Sequence, residues 1–285
     1  MNIFRTACLF IAFTTALTAS AKDFTFTAIP DQDSTQLEQR FGKVATYLEA
    51  QLGVKVVYVP VKSYAAAVTS FTNDDVQLAW FGGLSGVQAR MRVPGSEAIA
   101  QGYEDQFFKT YFIAHESAGM TKLEELTSAL KGKTFTFGSK GSTSGRLMPE
   151  FYLREALQAS PDDIFSRVGF SGDHSRTIAL VNTGAYQVGA VNYKVWETEL
   201  AKGEVSPNKV SIIWETPAYP DYQWSIRGDV NDTWGEGFSG KVKQALLAMN
   251  DPDLLASFPR ESFVEASNAD YQPILDTAKS IGLID

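Results

Sequence analysis

The sequence contains one cysteine, Cys8, and two histidines, His115 and His174, among 285 residues, and these shortages exclude several kinds of site. A single cysteine cannot form a disulfide within the chain, and it cannot supply a cysteine-ligated zinc centre. The two histidines do not stand in a His-Glu-x-x-His zinc motif. We therefore expect no disulfide framework, no metal site and no cofactor.

Motifs that mark common enzyme classes are also lacking. No Gly-x-Ser-x-Gly elbow, Walker sequence or Rossmann glycine fingerprint follows a predicted strand. A secreted hydrolase with Ser142 or Ser144 as nucleophile and His174 as base stays open at this point, although no third group that would orient the histidine is visible. These absences favour a protein that is not an enzyme.

An excess of acidic residues argues against polyanionic partners. The chain carries 33 Asp and Glu against 25 Lys and Arg, which gives a formal net charge of -8. Nucleic acids and anionic membrane surfaces attract basic proteins, so neither is an expected partner. A small anion is compatible with this charge, because backbone N–H groups and hydroxyls at one site decide its binding.

The first 21 residues have the pattern of a secretory signal peptide. Arg5 precedes an apolar run over residues 6–17, and the small residues Ala19-Ser-Ala21 follow it. The run is too short to span a membrane as a stable helix, and Cys8 lies too early in it for a lipid anchor. We expect cleavage after Ala21 and a soluble periplasmic protein.

Strands and helices alternate along the rest of the chain, which is typical of α/β folds with parallel strands. Two such units are predicted, with extended crossings at residues 109–114 and 223–227. We expect two lobes around a cleft: residues 22–113 and 224–285 form lobe 1, and residues 114–223 form lobe 2. Ligands of open α/β sheets bind beyond the carboxyl ends of the strands, which here means the cleft.

Two local expectations accompany this fold. The spacing of apolar residues predicts a helix over residues 121–130 at the start of the second unit. Thr35 and Glu38 have the form of a capping box at the start of the first long helix.

The strongest functional signal is the segment Gly138-Ser-Lys-Gly-Ser-Thr-Ser-Gly145, which follows the predicted strand 133–137. A helix N-terminus has unpaired N–H groups and a positive dipole end, so it attracts anions. One hydroxyl is enough to cap a helix. Three consecutive hydroxyl residues, Ser142, Thr143 and Ser144, therefore favour an anion site over a simple cap.

Other predicted helix starts bring further donors towards the same cleft. Tyr64 follows Ser63 at one start, His174 opens another, and Gly82 stands at a third. Taken alone, Tyr64 is also compatible with a surface aromatic residue, and His174 with a capping or turn residue. If these starts converge, they form a cage rich in N–H and O–H groups.

The ordered set of motifs resembles the phosphonate-type periplasmic solute-binding proteins of ABC importers, a group that includes binders of phosphite, hypophosphite and selenate-like oxyanions. The resemblance covers nearly the whole chain after the signal peptide. It rests on Ala28-Ile-Pro-Asp-Gln-Asp33, Tyr47-Leu-Glu-Ala-Gln-Leu-Gly53, Ser63-Tyr-Ala-Ala66, Phe81-Gly-Gly-Leu-Ser85, Gly141-Ser-Thr-Ser-Gly145, Ser171-Gly-Asp-His174 and Gly189-Ala-Val-Asn192.

The resemblance implies a two-lobed type II Venus-flytrap fold with two crossing strands, a small oxyanion ligand, an inner-membrane ABC permease as partner and a monomeric state. It implies that Ser142, Thr143 and Ser144 grip the oxyanion, with Tyr64 donating from the opposite lobe and His174 from the same lobe. The full set of expected ligand-binding residues is Tyr64, Phe81, Gly82, Ser142, Thr143, Ser144, His174 and Tyr193.

Two departures from the family pattern bear on the ligand. Gly83 replaces a proline, and Gly86 stands near the place of a frequent tyrosine. Gln187 stands where amine-binding members often carry an acid, so we expect an inorganic or short-chain oxyanion held among neutral donors. A periplasmic sensor that presents the oxyanion to a membrane histidine kinase is the alternative with the same fold.

Overall fold

Residues 22–284 are described here from a computed structural model of the chain. The expected signal peptide, residues 1–21, lies outside the described residues. Within the described range, every helix is too short or too polar to cross a membrane.

Two separate β-sheets organise the described residues. In chain order the strands are β1 (Phe24–Ala28), β2 (Val56–Tyr58), β3 (Leu78–Phe81), β4 (Glu97–Gly102), β5 (Thr110–His115), β6 (Thr134–Phe137), β7 (Arg167–Phe170), β8 (Val188–Asn192), β9 (Val210–Glu215), β10 (Gln223–Ile226) and β11 (Phe263–Glu265). The sheet of lobe 1 has the order β11-β4-β10-β3-β1-β2, and the sheet of lobe 2 has the order β7-β6-β8-β5-β9.

Helices connect the strands and cover the sheets. They are α1 (Ser34–Leu52), α2 (Tyr64–Thr72), α3 (Gly83–Arg92), α4 (Met148–Leu157), α5 (Pro161–Ile164), α6 (His174–Asn182), α7 (Tyr193–Ala201), α8 (Val230–Trp234), α9 (Phe238–Leu247), α10 (Pro252–Ser257) and α11 (Gln272–Ser280). Several of these helices begin directly after a strand, so their N-termini lie at the carboxyl edge of a sheet.

The pairing confirms two parallel α/β units joined by extended crossings. Strand β1 pairs in parallel with β2 and β3, and β6 pairs in parallel with β7 and β8. Strand β10 runs antiparallel to β3 and β4, and β5 runs antiparallel to β8 and β9. Strands β5 and β10 are those that the chain enters immediately after it changes lobe, and β11 also runs antiparallel to β4.

The crossing segments meet at a mutual pair of backbone hydrogen bonds. Phe108 N donates to Tyr219 O over 2.9 Å, and Tyr219 N donates to Phe108 O over 3.0 Å. The boundary expected between residues 113 and 114 falls inside β5, whose partners both belong to the sheet of lobe 2. We therefore propose that the lobes meet at residues 108 and 219.

Each lobe has its own apolar core. The core of lobe 1 is rich in aromatic side chains, and the rings of Trp80 and Trp224 lie 5.3 Å apart at its centre. Two smaller clusters contain buried residues of the lobe 2 sheet, with Phe112 in one and Ile113 in the other. Both faces of these strands are covered, which explains their nearly continuous apolar sequences.

Two local expectations are wrong. Residues 121–127 form no helix, and only a 3-10 turn, Ser128–Leu130, is present, because the chain runs along β9 where Leu123 N donates to Ile213 O over 2.7 Å. Helix α1 is capped by Asp33, whose carboxylate accepts from Thr35 N and Gln36 N. Strands β4 and β11 had no sequence-based prediction.

Candidate functional site

The glycine-rich segment after β6 forms a tight turn and then a π-helical turn. Gly138 N donates to Gly145 O over 2.8 Å, which closes the turn. Leu147 N donates to Ser142 O over 3.0 Å, so Thr143–Leu147 winds with one extra residue per hydrogen bond before α4 begins. Turns of this kind are rare and occur frequently at functional sites.

The three consecutive hydroxyl side chains are buried, and their exposed fractions are at most 2%. Ser142 Oγ accepts from Gly145 N over 2.9 Å and is the cap. Thr143 Oγ1 instead accepts from Leu84 N, at the start of α3 in lobe 1, over 3.0 Å. Ser144 Oγ lies 3.5 Å from a ring nitrogen of His174. Only one of the three therefore serves the local turn, and the other two contact different elements.

Space around the turn is so limited that Gly145 has no room for a side chain. A Cβ atom there would lie 3.0 Å from Ser142 Oγ, 3.1 Å from His174 Cε1 and 3.2 Å from Gly138 Cα. We expect Gly145→Ala to lower the free energy of unfolding by about 1–3 kcal/mol, because the hydroxyl, the imidazole and the facing backbone must all move apart. Urea denaturation measures the change.

The matched control is Gly240→Ala in α9, where a Cβ atom has nothing within 4 Å. Its stability should stay the same or rise by about 0.4–1 kcal/mol, since alanine restricts the unfolded chain. An unchanged unfolding midpoint for Gly145→Ala would show that the turn has more space than these distances indicate.

His174 is a neutral donor that faces Ser144. The N–H of Asn192 donates to its Nδ1 over 3.3 Å, so the ring proton resides on Nε2. Complete burial lowers the pKa of His174 to about 3, and the ring stays uncharged at physiological pH. Because the nitrogen that faces Ser144 already carries the proton, it cannot accept one from that hydroxyl. This tautomer argues against the hydrolase alternative.

Tyr64 lies inside the cleft and not on the surface. It begins α2, Ser63 caps that helix through a 3.1 Å bond from Ala66 N, and the Tyr64 side chain is 2% exposed. Burial raises the pKa of its phenol well above 10, and the Ser142 hydroxyl offsets part of this effect. A Cβ atom on Gly141 would lie 3.2 Å from Tyr64 Cβ, so glycine permits this close approach between the lobes.

Asp221, in the crossing segment before β10, is a site residue that the sequence did not reveal. Its carboxylate accepts from Gly83 N over 2.9 Å and is almost completely buried. Burial raises the pKa of Asp221 to about 7, although the Thr143 hydroxyl and the Gly83 N–H stabilise the anion. A Cβ atom on Gly82 would lie 3.0 Å from Asp221 Oδ1, so the expected role of Gly82 beside the cleft has a steric basis.

Asp31 is the second buried acid, and it links the lobes. Tyr222 Oη donates to its Oδ2 over 2.8 Å and accepts from Asn192 Nδ2 over 3.0 Å. The carbonyl of Asp31 accepts from His174 N, the first N–H of α6, over 2.9 Å. Burial raises the pKa of the Asp31 carboxyl above its usual range. Asp31 follows the carboxyl end of β1, and such strand ends are where the sequence predicts the ligand, so this was the signal available in the sequence.

Two buried acids lie at the site, whereas the sequence predicts a cage of purely neutral donors. Asp31 and Asp221 are buried beside the hydroxyl turn, and the pKa of Asp221, about 7, allows both of its protonation states near neutrality. The interpretation that considered an acid only at the position of Gln187 missed them, because both come from distant parts of the chain.

Two expected residues lie beside the cluster. Phe81 ends β3, is fully buried and packs edge-on against Phe71 with ring centroids 5.6 Å apart. Tyr193 begins α7, and its ring lies 4.9 Å from that of Phe108 and 6.0 Å from that of Tyr111. These contacts place Phe81 in the core of lobe 1 and Tyr193 against the crossing segment.

Four helix starts therefore converge on one buried point between the lobes: those of α2, α3, the π-helical turn and α6. The first N–H groups of a helix have no partner within it, and here Gly83 N, Leu84 N and His174 N donate to Asp221, Thr143 and Asp31, so polar groups of both lobes meet at one place. Across residues 22–284, no group of three His, Cys, Asp or Glu side chains is arranged to hold a metal ion. The arrangement is chemically suited to a small oxyanion.

The chain matches a protein family described as the periplasmic substrate-binding protein of the phosphonate ABC transporter, over residues 26–271. It is 38% identical over 283 residues to the probable ABC transporter phosphite binding protein PhnD1 of Prochlorococcus marinus (strain MIT 9301), and the match covers 97% of this chain and 95% of that protein. It is 28% identical to the phosphate-import protein PhnD of Mycolicibacterium smegmatis, over 85% of this chain and 75% of that one.

The solved structure of Prochlorococcus marinus PhnD1 in complex with methylphosphonate has the same architecture. It is similar to this chain with a TM-score of 0.87 at 39% sequence identity, and the match covers 92% of this chain and 99% of the other.

Proposed function

The chain belongs to the family of periplasmic substrate-binding proteins of ABC phosphonate transporters, and from this premise we propose that its cleft binds phosphite or a short phosphonate in a singly protonated form. The protein is the binding component of a phosphonate or phosphite transporter, and it is not an enzyme. Membership in this family favours a role in transport over the sensor and hydrolase alternatives.

The observation that carries the proposal is the set of side-chain donors at three of these helix starts. Tyr64, the hydroxyl turn and His174 offer uncharged O–H and N–H groups, and no lysine or arginine is needed to hold the anion. Hydrogen bonds to a buried ion are stronger than neutral ones and depend on direction, so such a cage selects for shape. A tetrahedral oxyanion satisfies donors that converge from both lobes.

Asp221 adds selectivity for ligands that carry a proton. An ionised carboxylate repels an adjacent oxyanion, whereas a shared proton turns the pair into a strong hydrogen bond. Phosphite and phosphonates exist near neutral pH with one proton on oxygen, and sulfate and selenate do not. We therefore expect sulfate and selenate to bind more weakly than phosphite, even though selenate-like ligands agree with the sequence pattern.

Closure of the lobes buries the ligand. Leu84 N contacts Thr143 Oγ1 across the cleft, and His174 N contacts Asp31 O. A ligand that touches both lobes favours the closed form through its higher affinity for that form. We also propose cleavage after Ala21, a monomeric protein and delivery of the ligand to the membrane permease in the closed form.

The experiment that tests the proposed ligand is a thermal-shift panel on the chain from Lys22 onward. The panel contains phosphite, hypophosphite, methylphosphonate, aminoethylphosphonate, phosphate, selenate and sulfate. A ligand at about 100 times its Kd stabilises the protein by about 2.7 kcal/mol, which gives a clear shift. A shift with phosphite or methylphosphonate and none with sulfate supports the proposal. The largest shift with aminoethylphosphonate or sulfate would contradict it.

A variant that lacks the Thr143 hydroxyl tests the proposed ligand contacts. We expect Thr143→Val to weaken phosphite binding by about 1–3 kcal/mol, because a buried anion loses a hydrogen bond while the side-chain volume is kept. Calorimetric titration measures the change. Thr183→Val, at the exposed end of α6, is the isosteric control and should bind normally. Unchanged affinity in Thr143→Val would remove this residue from the contacts and leave the family assignment intact.

A further inference from the structure

A cavity of about 300 Å³, separate from the ligand site, lies between helix α1 of lobe 1 and the end of helix α7 of lobe 2. Helix α1 and the loop before it supply three glutamines and two cations, Arg40 and Lys43. The other lobe supplies Thr198 and Lys202. Among the described residues that form the ligand site, none lines this cavity.

The charged residues of the cavity lining are all cations. Arg40, Lys43 and Lys202 surround it, although the chain as a whole has a net charge of -8. Like charges around one concave surface repel each other, and the field in such a cleft attracts anions. Asp31 offsets part of the charge of Arg40 from the core side, but it does not line the cavity.

Arg40 is incompletely satisfied. Its side chain is 8% exposed, its Nη2 donates to Gln32 Oε1 over 3.3 Å, and its Nε has no hydrogen-bond partner within the described part of the chain. The guanidinium lies 5.6 Å from the ring centroid of Phe258. Burial lowers the pKa of Arg40, which is the sign of a cation with too few partners. Its positive charge is therefore only partly compensated by neighbouring groups, which favours an anion in the cavity that it lines.

The cavity is complete only when the lobes are closed. Lys202 Nζ donates to Gln36 Oε1 across the two lobes over 2.9 Å, which holds the lysine at the cavity. An anion that contacts α1 and Lys202 together therefore binds the closed form more tightly than the open one. By linkage, such an anion also strengthens binding in the cleft, and the cleft ligand strengthens binding of the anion by the same factor.

We propose that this cavity is a second anion site, which takes a small, multiply charged oxyanion of the inorganic diphosphate class and thereby tightens ligand binding in the cleft. The volume corresponds to roughly ten water molecules, so it accommodates an anion larger than a single tetrahedral group. The coupling rests on the proposed function, whereas direct binding of the second anion does not.

Inorganic pyrophosphate is the probe, and titration calorimetry is the measurement. We expect it to bind the wild-type chain and the cleft variant Thr143→Val with similar affinity. The double variant Lys43→Ala/Lys202→Ala should bind it at least tenfold more weakly. The control double variant Lys131→Ala/Lys241→Ala removes the same charge from exposed positions, one in each lobe, and should bind it as the wild type does.

Coupling between the two sites is measured as the change in the Kd for phosphite when pyrophosphate is present. Saturating pyrophosphate should lower the Kd for phosphite by about fivefold in the wild type, a typical strength for coupled sites, and leave it unchanged in Lys43→Ala/Lys202→Ala.

Several outcomes would overturn the proposal. One is no binding of pyrophosphate, and another is equal binding by the wild type and Lys43→Ala/Lys202→Ala. Competition with phosphite, together with loss of pyrophosphate binding in Thr143→Val, would place the probe in the cleft. An unchanged phosphite Kd would overturn the coupling. If phosphite itself does not bind, the proposed function fails, and the direct pyrophosphate titration still decides the second site.

Discussion

The free energy of unfolding should fall by about 3–5 kcal/mol when Arg260 is replaced by methionine. Arg260 Nε and Nη2 donate to the two carboxylate oxygens of Asp105 over 2.9 and 2.7 Å, and both side chains are almost completely buried. Methionine keeps much of the side-chain volume but leaves the Asp105 carboxylate in the core without a counter-charge. Its remaining support is the Gly102 N–H, at 3.0 Å.

The Arg260–Asp105 pair also contacts residues at the ligand site. The carbonyl of Asp105 accepts from Asp221 N over 2.9 Å, and the Arg260 guanidinium lies 5.5 Å from the ring centroid of Tyr222. Burial alone would lower the pKa of Arg260, but the Asp105 carboxylate more than reverses this effect and raises it. The guanidinium thus stays charged, and Arg260→Met should weaken ligand binding as well as stability.

Denaturant titration with two comparison variants tests this expectation. Lys55→Met removes an exposed ion pair with Asp23, 3.2 Å long, and should cost less than about 1 kcal/mol. The double variant Asp105→Asn/Arg260→Met removes both charges and should recover part of the lost stability, because no unpaired ion is left in the core. If Arg260→Met costs no more than Lys55→Met, the buried pair does not stabilise the fold.

The Kd for phosphite should rise about tenfold per pH unit above pH 7, which is the limit for uptake of one proton on binding. Burial raises the pKa of Asp221 to about 7, so the free protein loses this proton at neutral pH. The complex needs one proton between the carboxylate and the oxyanion, so binding at higher pH must recover it from solvent. Below pH 7 this one proton is already present on Asp221 or on the ligand, so binding needs no uptake from solvent.

The variant Asp221→Asn distinguishes titration of the Asp221 carboxyl group from titration of the ligand, because only the ligand titrates in the variant. Only the wild type needs a proton shared between this carboxylate and the ligand, so the difference between the two pH profiles from pH 6 to pH 9 reports that proton. Asparagine donates at every pH, and the variant should show the shallower profile. Calorimetry in two buffers of different ionisation enthalpy measures the proton uptake directly. Parallel profiles for the two proteins would refute the shared proton.

The same carboxyl group affects the stability of the ligand-free protein. The pKa of Asp221 is higher in the folded chain than its ordinary value of 3.8. The stability that it contributes is therefore fully present below pH 3.8 and is lost as the pH rises through 7. Asp221→Asn should accordingly be more stable than the wild type above pH 7.

Sequence patterns predicted the elements whose structure depends on residues close together in the chain. The alternation of strands and helices follows from the spacing of apolar residues, and the hydroxyl turn follows from the requirements of a helix start. Ser142, Thr143 and Ser144 are buried at the cleft as that pattern indicates. Their individual ligand contacts stay predictions.

Tertiary contacts account for what the patterns did not predict. The residues 121–130 have helical spacing, but pairing of Leu123 N with the edge strand β9 prevents a helix. Asp31 and Asp221 lie far apart in the chain, and no sequence pattern pairs them. Their raised pKa values arise from burial at the contact of the two lobes. Tyr193 has the sequence position of a site residue, and its ring packs at the crossing segment instead.

The contacts between the lobes also affect how fast a bound ligand leaves. Leu84 N to Thr143 Oγ1, His174 N to Asp31 O and the close approach of Tyr64 to Gly141 all join the two lobes across the cleft. The residence time of the ligand is then governed by how often the lobes part, more than by its own contacts. A permease that pulls the lobes apart would therefore set the rate of unloading, and tight capture need not slow uptake.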